Sequence, residues 1–231
     1  MKYSDLFFDL DHTLWDFETN SKEVLYELFT AHDLQKTLTS DFEEFYTTYS
    51  HHNKKLWHRY NHGFIKQEEL KWKRMWHTLL EFKRSDEIFS KQLSEEYLHS
   101  LPHKKALFPY TIEILFYLTG KGYKLHLITN GFEKIQWSKL QNAQIGQYFE
   151  TVITSEAAAS LKPHKAIFDF AINKAGCQYE TSIMIGDNLD ADIRGAMEAG
   201  MDTVFVNHIQ EEVTVQPTHI IHHLKELEQI F

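Results

Sequence analysis

From about residue 105 to the end of the chain, short apolar runs alternate with helix-length amphipathic stretches, and few folds accommodate that alternation. Strands separated by helices can only pair in parallel, because a parallel neighbour needs a long crossover, and the helices then cover the faces of the sheet. Strands are expected over Tyr123–Ile128, Thr151–Thr154, Ser182–Ile185 and Thr203–Val206. The helices between and after them fall at Thr111–Thr119, Glu133–Ala143, Lys165–Ala175, Asp190–Ala199 and Leu224–Ile230, with Gly120 and Gly176 as stops.

A further strand stands far from the others. The segment Tyr3–Leu10 carries the apolar run Leu6-Phe7-Phe8 and ends in acidic residues, as a buried strand with a polar C-terminal end would. Residues 15–104 are helical in pattern throughout. Asn20 with Glu23, and Ser40 with Glu43, have capping-box spacing and mark two helix starts. Phe42, Phe45, Tyr46, Tyr49, Leu56, Trp57 and Tyr60 then recur at steps of three and four before Gly63. Two more helices are expected, one around Leu70, Met75, Trp76, Leu79 and Leu80, the other over Ile88–Leu98. The organisation expected is one α/β domain, residues 1–14 and 105–231, interrupted by a helical insertion at 15–104. A chain of 231 residues, 42% hydrophobic, is long enough for one core and a smaller companion.

Charge and cysteine usage narrow the function classes. A net charge of −9 disfavours a nucleic-acid polymer as partner, because such binding depends on neutralising rows of phosphates, yet it is compatible with one small phosphate ester. A single cysteine, Cys177, excludes an internal disulfide, and Lys2, Asp5, Asp9 and Asp11 leave no apolar signal segment at the start. A cytoplasmic location, no membrane association, and a monomer or homodimer are the expectations. The fifteen histidines lack zinc-site spacing, and His51, His52, His219, His222 and His223 are expected at the surface.

Four polar clusters directly follow or adjoin predicted strands: Asp9 to Thr13, Thr129-Asn130-Gly131, Lys162-Pro163, and Gly186 to Asp192. In a parallel sheet these positions gather at one edge. Asp9 and Asp11, two apart, would project the same way from extended backbone, and two such carboxylates are costly unless a cation or a proton is shared between them. Asp187 and Asp192 offer further oxygen ligands of the kind magnesium takes. A carboxylate can attack a phosphate once the repulsion between them is neutralised, and Lys162 with the metal would do that. Thr129, with the backbone N–H groups of Asn130 and Gly131 at a helix entrance, suits phosphate oxygens. Each cluster alone has an ordinary reading as a turn, cap or solvated helix start; the order in which they occur carries the signal. Asp190 is expected to cap a helix and His12 to be a spacer.

On these residues the chain resembles the haloacid dehalogenase superfamily of phosphohydrolases. Phe8-Asp9-Leu10-Asp11-His12-Thr13-Leu14, Ile128-Thr129-Asn130-Gly131, Lys162-Pro163 and Gly186-Asp187 through Asp192 match its four motifs in order. The resemblance implies a Rossmann-like core with a helical cap inserted after the first strand. It also implies magnesium as cofactor, Asp9 as nucleophile and metal ligand, and Asp11 as general acid and base whose main-chain carbonyl meets the metal. Asp187 is implied as the other ligand, Thr13 and Asp192 as supporting residues, and an aspartyl-phosphate as intermediate.

Within the superfamily the chain is similar to the YjjG-type pyrimidine 5'-nucleotidases, in Leu56 to Gly63, Ile128 to Phe132, Ser155-Glu156 and Leu224 to Gln229. His164 departs from the acidic residue usual after Lys-Pro. This resemblance implies a nucleoside 5'-monophosphate as substrate, chosen by the cap. Trp57, Tyr60, Phe64, Trp72 and Trp76 are candidates to stack on a base, although their helical spacing assigns most of them to the cap's own core. The competing readings are a sugar-phosphate phosphatase, a phosphomutase, and a non-catalytic phosphate-ester binding protein. A dehalogenase has no use for Asp11 as proton donor to a phosphate ester's leaving group.

Overall fold

The computed structural model describes residues 2–231. The six strands β1 (Asp5–Phe8), β2 (Lys124–Thr129), β3 (Phe149–Thr154), β4 (Ser182–Gly186), β5 (Asp202–Val206) and β6 (His219–Ile221) form one sheet in the order β3-β2-β1-β4-β5-β6. Every pairing is parallel, and β1 lies between β2 and β4, with Phe8 in register with both Leu127 and Ile185. The expected Rossmann-like α/β class is therefore the one found. Strand β6 lies outside the sequence expectation, because His219-Ile220-Ile221, followed by two more histidines, has too little apolar pattern to register.

The helices are α1 (Phe17–Ala31), α2 (Leu34–Thr37), α3 (Phe42–Asn61), α4 (Gln67–Glu81), α5 (Glu87–Ser100), α6 (Thr111–Gly120), α7 (Glu133–Asn142), α8 (Ser155–Ala158), α9 (Lys165–Ala175) and α10 (Gly195–Ala199). The chain divides into two compact units, Met1–Phe17 with Lys105–Phe231, and Glu18–Lys104. In the first, Phe7, Ile128, Ile153, Phe168 and Met184 pack with α9 and α10 into a buried cluster that covers the sheet. Removing each such side chain from water contributes about 1.5–3 kcal/mol.

The second unit is helical throughout. Phe29, Phe45, Tyr49, Leu70, Leu79, Leu93 and Tyr97 form its interior. Arg74 is buried there, donating to Leu70 O and to Asn53 Oδ1, with its guanidinium 5.6 Å from the Tyr97 ring centroid. Of the aromatics weighed from sequence, Tyr60 is buried, Trp57, Trp72 and Trp76 are half-buried, and Phe64 is 67% exposed. The assignment of most of these to the core is thus corrected.

Several local expectations are corrected too. Helix α1 begins at Phe17, and Asn20 lies inside it, fully buried, because the buried stripe of Val24, Leu25 and Leu28 runs back through Ser21 to Phe17. Helix α3 is capped by Asp41, whose carboxylate accepts from Glu43 N, in place of Ser40; an ionised acceptor makes the stronger cap. His52 is buried against His77 and Glu81 in place of lying at the surface. The helix expected near the C-terminus is a 3-10 helix, Leu224–Gln229, and the one expected over Asp190–Ala199 is a π-helical turn at Leu189–Arg194 leading into α10. This widened turn is capped by Asn188, whose side chain accepts from Asp190 N and Ala191 N, while Asp190 pairs with Arg194; Asp190 is not the cap.

Candidate active site

Strand β1 ends at Phe8, and Asp9 N still donates to Ile185 O, so the chain leaves the sheet at Asp9. The next residues curl back: Leu14 N and Trp15 N both donate to Leu10 O, and His12 takes a left-handed conformation with φ 65. The expected shared direction of Asp9 and Asp11 requires extended backbone, and this curl removes it. Their carboxylates take different partners.

The Asp9 carboxylate turns to Lys162. Lys162 is 2% exposed, donates to Asp9 Oδ1 at 2.5 Å and to Ile128 O at 2.7 Å, and lies 2.6 Å from Asp192 Oδ1. Its backbone is fixed by Asn130, whose amide donates to Lys162 O and accepts from Lys162 N, each at 2.8 Å. The sequence reading gives Asn130 a role through its backbone N–H; its side chain is what ties the end of β2 to the lysine. Lys162 is followed by Pro163, against which Gly195 packs so closely that a Cβ on Gly195 would lie 2.7 Å from Pro163 Cα.

Asp187 follows β4 and accepts from Thr13 Oγ1 at 2.9 Å. Thr13 is held from its other side by His208, whose Nε2 lies 3.2 Å from Thr13 O and whose ring stacks on Phe108 with centroids 3.9 Å apart. Asp192 Oδ2 accepts from Asn188 N at 3.0 Å and packs where any side chain on Gly186 would stand. One oxygen from each of Asp9, Asp187 and Asp192 lies within 4.8 Å of the others. Asp192, offered with Asp187 as an oxygen ligand by the sequence and as a supporting residue by the resemblance, stands in the same group, and the Asp11 carboxylate does not.

The electrostatics of this group are unbalanced. Burial pushes the Asp9 carboxyl well above the usual range; Lys162 opposes this, while Asp192 and Asp187 add to it. Burial, then Asp192, raise Asp187 to about 8. Burial works against the charge on Lys162, yet Asp192 and Asp9 together keep its ammonium above the ordinary lysine range. Three carboxylates face one ammonium, which lies 2.6 Å from Asp192 Oδ1. An oxygen-only group with excess negative charge fits a hard divalent cation.

Thr129 closes β2. Its Oγ1 accepts from Gly131 N at 3.0 Å and from Gln136 Nε2 at 2.6 Å. Gln136 also donates to Asp11 Oδ2 at 2.9 Å, and Lys139 donates to Asp11 Oδ1 at 2.5 Å. Gln136 and Lys139 are absent from the residues that the sequence singles out. With Leu140 they are the buried positions of α7, a three- and four-residue stripe in which polar side chains occupy core positions, and that is the signal that could have found them. Gly131 is glycine because a Cβ there would overlap the Gln136 amide.

A parallel sheet with a buried lysine, an aspartate nucleophile candidate and an acidic loop gathered beyond its C-terminal edge defines a hydrolase of a particular class. Residues 6–206 match the family of haloacid dehalogenase-like hydrolases, and the chain belongs to it. It is 30% identical to the pyrimidine 5'-nucleotidase YjjG of Escherichia coli, over 100% of this chain and 98% of that one. It is 32% identical to the pyrimidine 5'-nucleotidase PynA of Streptococcus pneumoniae, over 98% and 94%. Among solved structures, the HAD-hydrolase YfnB of Bacillus subtilis, crystallised bound to magnesium, superimposes with a TM-score of 0.91 at 26% identity, covering 100% of this chain and 99% of that one.

Proposed function

We propose that the protein is a magnesium-dependent phosphatase of nucleoside 5'-monophosphates that works through an aspartyl-phosphate on Asp9. The observation that carries this reading is the pairing of the buried Lys162 with Asp9 beside a second, separately held carboxylate, Asp11. Asp9 Oδ attacks phosphorus while the bond to the ester oxygen breaks, and Asp11 supplies the proton to that oxygen. Asp11, now a carboxylate, takes a proton from water as the water attacks phosphorus, and the bond to Asp9 breaks, giving inorganic phosphate. Lys162, the Thr129 hydroxyl and the N–H group of Asn130 hold the phosphate oxygens, whereas the Gly131 N–H, expected to join them, donates to Thr129 Oγ1 and fixes that hydroxyl.

Asp9, Asp187 and Asp192, with the main-chain carbonyl of Asp11, would hold the metal. Magnesium there supplies positive charge that offsets the repulsion between Asp9 and the phosphate. Thr13, bonded to Asp187, keeps that ligand oriented.

Residues 1–14 and 105–231 are assigned the chemistry and the helical segment 15–104 the choice of leaving group. The half-buried Trp57, Trp72 and Trp76 and the exposed Phe64 offer flat apolar faces suited to a nucleobase more than to a polyhydroxylated sugar. The names of the two full-length relatives favour pyrimidine nucleotides. The test is kcat/KM on thymidine and uridine monophosphates against hexose and triose phosphates. Nucleotides should lead by about tenfold or more; the reverse order would remove the nucleotidase reading and leave the phosphatase mechanism standing.

A further inference from the structure

The phosphate-binding hydroxyl and the acid–base carboxylate are joined by one side chain. Gln136 Nε2 has two protons, and it has two oxygens to give them to: Thr129 Oγ1 at 2.6 Å and Asp11 Oδ2 at 2.9 Å. The opposite amide orientation would set Gln136 Oε1 against the Asp11 carboxylate, so the two acceptors fix which way the amide faces. The cost is visible. Gln136 is fully buried and its Oε1 has no hydrogen-bond partner, a penalty that this arrangement accepts in order to keep both donors aimed.

Thr129 is affected as well as Asp11. A hydroxyl oxygen accepts at two lone pairs, and both of those on Thr129 are taken, one by Gly131 N and one by Gln136. Its own proton is then left to donate, which is what a phosphate oxygen requires. Lys139 acts on Asp11: it is 2% exposed, its ammonium is 2.5 Å from Asp11 Oδ1, and it lies 4.1 Å from the centroid of the Trp15 ring. Gln136 and Lys139 are one turn apart on α7, so both oxygens of Asp11 are gripped from a single rigid element.

We propose that Gln136 and Lys139 are positioning residues with separable duties: Lys139 orients the Asp11 carboxylate for proton transfer, and Gln136 does the same while also committing the Thr129 hydroxyl to donate to the substrate phosphate. The proposal rests on the phosphatase reading above, in which Asp11 moves the proton and Thr129 meets the phosphate. The two duties predict different kinetic signatures, which a role in packing alone would not.

The experiment compares an alkyl phosphate, whose leaving oxygen needs a proton, with p-nitrophenyl phosphate, whose leaving group departs without one. General acid–base catalysis is typically worth about 10²–10⁴-fold, so partial misplacement of Asp11 should lower kcat on the alkyl ester by about tenfold more than on the nitrophenyl ester. Lys139→Met should show that selective loss with KM within about twofold, and Lys139→Arg should recover part of it. Gln136→Leu should show the same selective loss and, in addition, a rise of about fivefold or more in KM and in the inhibition constant for inorganic phosphate, as expected when one hydrogen bond to a charged group is weakened. In an Asp11→Asn background the selective loss should vanish from both variants, while the phosphate-affinity loss of Gln136→Leu should persist.

Equal losses on the two esters, or a Lys139→Met effect undiminished in the Asp11→Asn background, would overturn the proposal. If Lys139→Met does not fold, Gln136→Leu carries both comparisons, since the leucine fills the same slot without its donors. A wild-type enzyme inactive on both esters would instead overturn the phosphatase reading, so the two failures are distinct.

Discussion

Lys162 Nζ donates to Asp9 Oδ1 at 2.5 Å, and neither side chain has enough access to water to replace the other. Breaking a buried pair strands a charge and costs about 3–5 kcal/mol, more than the pair itself contributes over a well-packed apolar substitute. Lys162→Met should therefore lower the urea midpoint of the metal-free protein at pH 8, the unfolding free energy falling by an amount in that range and leaving Asp9 and Asp192 facing each other. An unchanged midpoint would mean that the lysine serves chemistry alone.

Asp9→Asn keeps the shape of the side chain and removes the oxygen that the proposed mechanism uses as nucleophile. Turnover should fall by about 10³-fold or more. Wild type quenched in acid during turnover of a phosphorus-labelled ester should retain label on the protein, and the variant should retain none. Label on the Asp9→Asn protein would show that another group attacks.

Removing the metal should leave Asp9, Asp187 and Asp192 repelling one another and the substrate, with Lys162 as the offsetting charge. A chelator should stop the reaction and magnesium restore it; calcium, which takes a larger coordination shell, should restore little. Magnesium should also raise the thermal midpoint of the wild type and not of an Asp187→Asn variant, because only a ligand bound to the native state shifts the midpoint. Full activity in chelator would refute the site.

The sheet was legible because Leu6-Phe7-Phe8 and Ile183 to Ile185 are continuous apolar runs and Leu125 to Ile128 is interrupted by His126 alone, and a doubly covered parallel strand needs residues like that. The clusters at Asp9, Thr129 and Gly186 were legible because each sits at the end of such a run, and Lys162-Pro163 because it precedes the start of α9. What lies between side chains was not. That Asn130 grips Lys162 through its side chain and that Asp11 turns to α7 depend on loop paths such as the curl at His12, and no pattern of residue types encodes those paths. Asn20 and Ser40 misled for a related reason: a capping residue competes with its neighbours, and packing at Phe17 or a stronger acceptor at Asp41 settles the contest.

Gly195→Ala tests how tightly the lysine loop is seated. The added methyl would lie 2.7 Å from Pro163 Cα and 2.9 Å from Pro163 O, both backbone atoms that cannot rotate away. Overpacking of this kind typically costs about 1–3 kcal/mol. The variant should lose stability in that range and, because Pro163 follows Lys162, should lose kcat as well. Wild-type stability with wild-type kcat would show that the loop has slack.

The pH dependence of stability should carry the mark of His126. This residue is fully buried in β2, stacked on Phe7 with centroids 4.7 Å apart, and its Nε2 lies 3.0 Å from Asp5 Oδ1 while Nδ1 lies 2.8 Å from Thr151 Oγ1. Burial lowers its pKa, and Asp5 offsets this only in part. The folded ring therefore stays neutral, with Nε2–H donating to Asp5 and Nδ1 accepting from Thr151. An unfolded histidine takes its proton near pH 6.5. As pH falls through that value the unfolded chain binds a proton that the folded chain refuses, so the unfolding free energy decreases; above it, neither state binds and the contribution is whole. His52, His77 and His208 are lowered in the same direction, so the wild-type slope alone does not isolate one residue. The measurement is the urea midpoint at pH 7.5 and at pH 5.5 for wild type and His126→Gln. The variant should be less stable at pH 7.5, having lost a satisfied buried pair, and its midpoint should drop less on acidification. Equal drops would place the acid sensitivity of the fold in the other histidines.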